Sequence, residues 1–202
     1  MKRLAGAVLV AAGLMAAPVA HAQEGKLSLG EVSSYLNALT TVEGAFTQIN
    51  GDGSISTGKL YLKRPGRMRF EYNPPDTALV VASAGAVVIA DGKSNQNPET
   101  YPLRRTPLSL ILDKDVNLSR AEMVVGHDFD GTATVVTAQD PEHPEYGNIQ
   151  MKFTANPVEL RQWVVNDSGG GSTTVILGEV DVGGAIPNRL FDIERPNPGN
   201  DR

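Results

Sequence analysis

Residues 60–75 read LYLKRPGRMRFEYNPP. The stretch predicts two β-strands joined at Pro65-Gly66, where Pro sets φ near −65° and Gly supplies the positive φ of a type II turn. On the first strand Leu60 and Leu62 share a face. On the second, Met68, Phe70 and Tyr72 share one face, while Arg67, Arg69 and Glu71 take the other. The hairpin therefore offers one apolar wall and one charged wall, with Arg64 at the turn. What the apolar wall faces decides the function.

Upstream, Ser28-Leu29-Gly30-Glu31 has the pattern of a capping box, and Leu29, Val32, Leu36 and Leu39 follow at helical spacing. A helix is expected over residues 29–40, with Ser33, Asn37 and Thr40 as an ordinary polar face and Glu43-Gly44 as its end. From Ala45 the period becomes two, through Phe46, Gln48 and Asn50 to a turn at Gly51-Asp52-Gly53.

Downstream, Asn73-Pro74-Pro75-Asp76 forces a corner, because Pro cannot donate to a central ladder. Short strands follow at 79–82 and 86–90, then a polar loop from Lys93 to Tyr101. Thr106-Pro107-Leu108 predicts the start of a second helix over 106–113, with Thr as N-cap and Pro in the first turn. Leu108, Ile111 and Leu112 share its face. A helix so short does not persist alone in water, so it must lie against apolar surface. Further strands are expected near 121–127, 132–138, 148–154, 158–166, 172–182 and 189–194. Ile149, Met151 and Phe153 alternate with polar residues, whereas Leu160 and Trp163 fall on opposite faces of an unbroken strand.

Some ten short strands and few helices point to one domain of mainly β class, an antiparallel sheet strongly curved or nearly closed. Its concave face is apolar and needs a cover. The helices at 29–40 and 106–113 are the available ones.

The chain opens with Lys2 and Arg3, an apolar run to about Val19, and Ala20-His21-Ala22, the pattern of a cleaved secretory signal peptide over 1–22. Residues 23–196 are then the domain, and 197–202 a disordered tail. Removing the leader takes away two of the 18 basic residues and none of the 23 acidic ones, leaving a net charge of −7. That balance argues against nucleic-acid binding. With no cysteine, disulfides, thiolate metal sites and a Cys nucleophile are excluded. A periplasmic location follows from the leader.

Several of these residues together resemble the periplasmic outer-membrane lipoprotein carrier family (LolA-like). They are the helix followed by Phe46-x-Gln48, Gly58-x-Leu60-x-Leu62-Lys63-Arg64-Pro65, and Arg67-Met68-Arg69-Phe70-x-Tyr72. Thr106-Pro107-Leu108, Leu160 with Trp163, and Leu190-Phe191-x-x-x-x-Pro196 complete the set. The resemblance spans nearly the whole chain after the leader. It implies a curved, incomplete antiparallel β-barrel with a helical lid over an apolar cavity. It implies a monomeric carrier without catalytic residues, metal or cofactor. Such a carrier takes triacylated lipoproteins from an inner-membrane ABC exporter to an outer-membrane acceptor. By the same resemblance Arg64 is the lid latch, and Leu60, Leu62, Met68, Phe70, Tyr72, Ile149, Met151 and Phe153 line the lipid cavity. Leu36, Leu39, Leu108, Ile111 and Leu112 belong to the lid. Met68 stands where the family commonly has an aromatic. Some members also carry a longer extension beyond the position of Pro196.

A lipid carrier has a stated physical problem. Each exposed CH₂ costs about 0.8 kcal/mol, so burying three chains completely gives an affinity too great for release. The site must therefore be imperfect and its lid must oppose loading.

Two other classes stay open. One is a periplasmic lipid- or lipoprotein-sensing regulator, although such proteins usually carry a further domain. The other, less supported, is a hydrolase. No G-x-S-x-G elbow occurs, and Gly169-Gly170-Gly171 precedes no helix. His127 and Asp128 point to opposite faces of a strand, so they form no metal site. Asp140-Pro141-Glu142-His143-Pro144-Glu145 is expected to be a solvated loop.

Overall fold

A computed structural model of the chain describes residues 25–91, 97–106, 108–167 and 169–192. The expected leader and the expected tail lie outside the described residues, as do Pro107, Pro196 and residues 93–96 of the expected polar loop.

The described residues form two α-helices and one antiparallel sheet of eleven strands. Helix α1 spans Leu29–Ala38 and α2 spans Ser109–Leu112. The first six strands are β1 Thr41–Ile49, β2 Ile55–Lys63, β3 Arg67–Tyr72, β4 Ala78–Ser83, β5 Ala86–Asp91 and β6 Glu99–Pro102. The rest are β7 Val124–Phe129, β8 Thr134–Ala138, β9 Gly147–Ala155, β10 Val158–Asp167 and β11 Ser172–Val182. Their order is β6-β5-β4-β3-β2-β1-β11-β10-β9-β8-β7. Two meanders therefore meet where β1 pairs with β11, and the outer edges β6 and β7 do not pair. This is the curved sheet that the alternation implied, left unclosed as the family resemblance implied.

The topology explains the lid. Because β6 and β7 are opposite edges, the chain between Pro102 and Val124 has to travel from one edge to the other. Helix α2 lies within that crossing.

The hairpin forms with Leu60 opposite Phe70 and Leu62 opposite Met68, a register that leaves three residues, Arg64-Pro65-Gly66, in the turn, with Gly66 at φ +75°. Its apolar wall belongs to the main core with Phe46, Met151, Phe153 and Trp163. Gly58 is required there. A Cβ at that position would sit 2.6 Å from the Phe46 ring and 2.1 Å from the Glu71 carbonyl.

Helix α1 begins as expected. The Ser28 N–H donates to Glu31 Oε2 (2.7 Å) and the Glu31 N–H to Ser28 Oγ (3.2 Å). Five expectations are corrected. Gly44 does not end the helix but lies inside β1, which starts at Thr41, because β11 approaches so closely that a Cβ would meet Val180 at 2.7 Å. The expected helix over 106–113 is a 3-10 turn at Leu103–Arg105 followed by the single turn of α2. Thr106 is extended and its hydroxyl donates to Leu103 O (2.8 Å), so it closes the first turn and does not cap the second. Glu99, Thr100 and Tyr101, expected in a loop, instead pair with β5 as part of β6.

The fourth correction concerns β10. Its pairing with β9 shifts between Leu160 and Gln162, a bulge that places Leu160 opposite Phe153 and Trp163 opposite Met151. Leu160 and Trp163 thus share the concave face, both buried, and are not on opposite faces.

The fifth concerns 189–192 of the strand expected over 189–194, whose last two residues lie outside the described residues. In place of a strand there is a 3-10 turn, Asn188–Phe191, after Pro187. The strands beneath it already have two partners each, so no ladder is free to take it. It packs on β3 and β4 from the convex side. Arg69 donates to Leu190 O (3.2 Å) and pairs with Glu71 (2.7 Å), and Lys63 donates to Ile186 O (2.7 Å). The charged wall is thus partly covered.

Both sheet edges are protected. Strand β6 is four residues long and ends in Pro102. Along β7, Lys26 donates to His127 O (2.8 Å) and the His127 Nε2 donates to Leu27 O (2.7 Å). No helix among the described residues is long and apolar enough to cross a membrane.

Candidate functional site

Among the described residues, two apolar spaces open on the concave face. An inner cavity of about 30 Å³ lies under the helices, and an outer pocket of about 310 Å³ opens at the far end of the same wall. Both are apolar because alternation sends β2, β3, β9, β10 and β11 side chains inward. Leu60, Leu62, Met68, Leu39 and Ile111 border the inner cavity, together with Tyr35 and Trp163. Phe70, Tyr72, Ile149 and Leu108 border the outer pocket, again with Trp163. Met151 and Phe153 are fully buried and border neither of these two spaces. Leu36 and Leu112 are likewise buried, at 0% and 1% exposure.

A row of aromatic rings runs along this wall, and Trp163 within it borders both spaces. Phe46 meets Phe70 (5.2 Å between centroids) and Tyr72 (5.1 Å), and Phe70 meets Trp163 (5.8 Å), all edge to face. Such pairs contribute about 0.5–1.5 kcal/mol each beyond area burial. Burial pushes the Tyr72 hydroxyl pKa upward, and that hydroxyl donates to Gln48 Oε1 (2.8 Å). Trp163 is a residue the sequence reading left out of the cavity. The bulge that turns it inward has no local sequence signal.

At the lidded end, α1 and α2 finish side by side. The last carbonyls of a helix lack partners within it. Here the hairpin turn supplies them. The Gly66 N–H donates to Leu112 O (2.8 Å). The Arg64 guanidinium donates through Nη1 to Leu36 O, through Nε to Asp113 O (3.1 Å), and through Nη2 to Lys114 O (3.3 Å) and Asn37 Oδ1 (3.1 Å). Nη2 also donates to Asp113 O. Five donors in a planar fork suit this gathering of carbonyls. Burial lowers the Arg64 pKa, opposed by Asp113 and Asp115, and the group stays charged.

The polar face of α1 is not ordinary. Asn37 exchanges two bonds with Val116, donating to its carbonyl and accepting from its N–H (both 2.9 Å). Ser33 donates to Leu29 O (2.6 Å) and accepts from the Leu118 N–H (3.0 Å). These residues hold the segment after α2 against α1. Their spacing of four on one helix face was the available signal.

The outer pocket differs at its rim. Ile89, Tyr101, Tyr146 and Val165 border it and are 40%, 44%, 65% and 41% exposed. Asp140, expected in a solvated loop, is instead buried and borders the pocket. The reason is that the chain keeps its strand alternation beyond β8, with the Gln139 N–H still donating to Met123 O (2.8 Å). Chemically the arrangement can hold an amphiphile. It offers apolar volume, a wet rim and a roof fixed by side chain to backbone bonds.

A family model described as "Outer membrane lipoprotein carrier protein LolA" matches residues 37–194. The chain is 25% identical over 208 residues to an outer-membrane lipoprotein carrier protein of Pseudomonas aeruginosa, covering 98% of each. To one from Legionella pneumophila it is 27% identical over 176 residues, covering 82% of this chain and 84% of that one. It is also similar to the solved structure of LolA superfamily protein NE2245 from Nitrosomonas europaea. That likeness is at 6% identity and a TM-score of 0.43, over 82% of this chain and 98% of that one.

Proposed function

The chain belongs to the outer membrane lipoprotein carrier family, and from that premise we propose that it is a periplasmic chaperone for lipoprotein acyl chains. It takes triacylated lipoproteins from an inner-membrane ABC exporter, shields their chains on the concave face, and passes them to an outer-membrane acceptor. It acts as a monomer and without catalysis. Residues 1–22 are its leader and 23–196 its carrier domain.

The observation that carries the reading is the Arg64 fork at the paired ends of α1 and α2, set over an apolar cavity. In this reading Arg64 is the latch. Leu36, Leu39, Leu108, Ile111 and Leu112 move with the lid. Leu60, Leu62, Met68, Phe70, Tyr72 and Ile149 touch acyl chain, with Met151 and Phe153 as the floor. The outer pocket, about 310 Å³, sits at the lower end of the ~300–1,000 Å³ that drug-sized ligands occupy. Three acyl chains need more room than that. Loading therefore moves the lid and breaks the Arg64 bonds, and the net affinity is chain burial less the cost of opening.

Mass spectrometry of what elutes with the natively purified protein is the direct test. Acylated peptides are expected, and their absence overturns the reading. Arg64→Leu should stay folded and shift the balance between loaded and empty carrier. Unchanged lipoprotein transfer by that variant removes the latch.

A further inference from the structure

Tyr35 lies in the last turn of α1, next to Leu36 and Asn37, the two residues of that helix that Arg64 holds. Its own contacts are with the second meander. The ring meets Phe153 of β9 edge to face (6.2 Å), and the hydroxyl accepts the Leu160 N–H of β10 (3.1 Å). That N–H stands at a break in the sheet. The ladder between β10 and β11 stops at Gln162 opposite Ile176, and the ladder between β10 and β9 shifts between Leu160 and Gln162. A backbone donor beyond the end of a ladder needs another acceptor, and here the helix supplies it. The shift matters for the wall. In a regular strand residues three apart face opposite ways, so the extra residue Arg161 is what brings Trp163 to the face of Leu160. Tyr35 therefore pins the bulge that sets Trp163, and Trp163 borders both the inner cavity and the outer pocket.

We propose that Tyr35 is a second fastening of the lid and the positioning residue through which the lid sets Trp163. The inference rests on the carrier reading, in which loading displaces α1. Arg64 ties the last turn of α1 to the hairpin of the first meander, and Tyr35 ties the same turn to β10 of the second. Both ties part when α1 lifts. Once the hydroxyl leaves, the Leu160 N–H bonds to water, the bulge is no longer pinned, and the Trp163 ring shifts from its place at the border of both spaces. Inner cavity and outer pocket then join, which gives an acyl chain a length that neither space offers alone. Opening the lid thus uncovers the concave face and reshapes its wall in one movement.

Trp163 is the only tryptophan of the chain, so tryptophan fluorescence reports it alone. The probe is a synthetic N-palmitoyl-S-dipalmitoylglyceryl-cysteinyl peptide. Tyr35→Phe keeps the ring against Phe153 and removes the bond to Leu160. Because that bond is broken in the loaded state anyway, its loss lowers only the cost of opening. Tyr35→Phe is expected to bind the probe about fivefold more tightly than the wild type, the net worth of one neutral hydrogen bond, while being less stable to urea. A residue that only supports the fold would lose the stability and gain no affinity. The Trp163 emission of the empty variant is expected to lie between those of the empty and the loaded wild type. Hydrogen exchange on the unmutated protein is the independent check: the Leu160 amide should exchange faster when the probe is bound. A Leu160 amide at least as protected in the loaded wild type overturns the assignment, as does a variant that binds no more tightly or leaves Trp163 emission unchanged. Each of those results leaves the carrier reading standing. A wild type that does not bind the probe fails the carrier reading itself, and this inference with it.

Discussion

The lidded end and the open end of the concave face are made by the same strands, yet they are finished differently. Under the helices, side chains interlock until about 30 Å³ is left, and the roof is tied by bonds from Arg64, Gly66, Ser33 and Asn37 to backbone groups. At the open end about 310 Å³ remains among the described residues, and apolar side chains at its rim are partly exposed. Uniform packing throughout would make a stable protein with nothing to do. Stability is concentrated at one end, and the other is left unfilled.

That contrast can be broken by substitution. The largest effect is expected for Phe153→Ala, which removes a fully buried ring that meets Tyr35 edge to face at 6.2 Å. A loss of about 3–5 kcal/mol in urea unfolding is expected. A loss below about 1 kcal/mol would show the lidded end to be loosely packed. An intermediate effect is expected for Asn37→Ala, which deletes both bonds to Val116 and the contact with Arg64. Because the site is partly exposed, the cost is about 1–2 kcal/mol. Hydrogen exchange at Val116 and Leu118 should quicken ahead of global unfolding, and unchanged exchange there would mean the roof is held by packing alone. The smallest effect on stability is expected for Tyr146→Ser at the open rim, within about 0.5 kcal/mol. The same change should weaken binding of a fluorescent fatty-acyl probe. A variant that loses stability but keeps its probe affinity would reverse the assignment of the two ends.

How much of this was legible in the chain differs by element. The hairpin at 60–72 was, because alternation and the Pro-Gly turn act locally. So was α1, whose capping box lies within four residues. The family was legible through the order of small motifs, none of them decisive alone. The bulge at Leu160–Gln162 was not, because Leu-Arg-Gln-Trp fits a regular strand and only the partner strand reveals the shift. Gly44 read as a terminator, since its close neighbour Val180 lies far away in sequence. Asp140 read as solvated for the same reason, its burial being imposed by strands and turns that local composition does not describe. The Arg64 contacts were expected from resemblance alone. By itself, a charge at a hairpin turn reads as hydrated.

The lack of pairing between β6 and β7 has a mechanical corollary. A hoop of strands closed on itself has its bore set by strand number and stagger, and widening it means tearing a ladder. A split hoop can spring apart at its gap with every ladder intact, resisted only by whatever bridges the slit. Girth is then adjustable at low cost, so one such clip can grip loads of different thickness and let each go without unravelling.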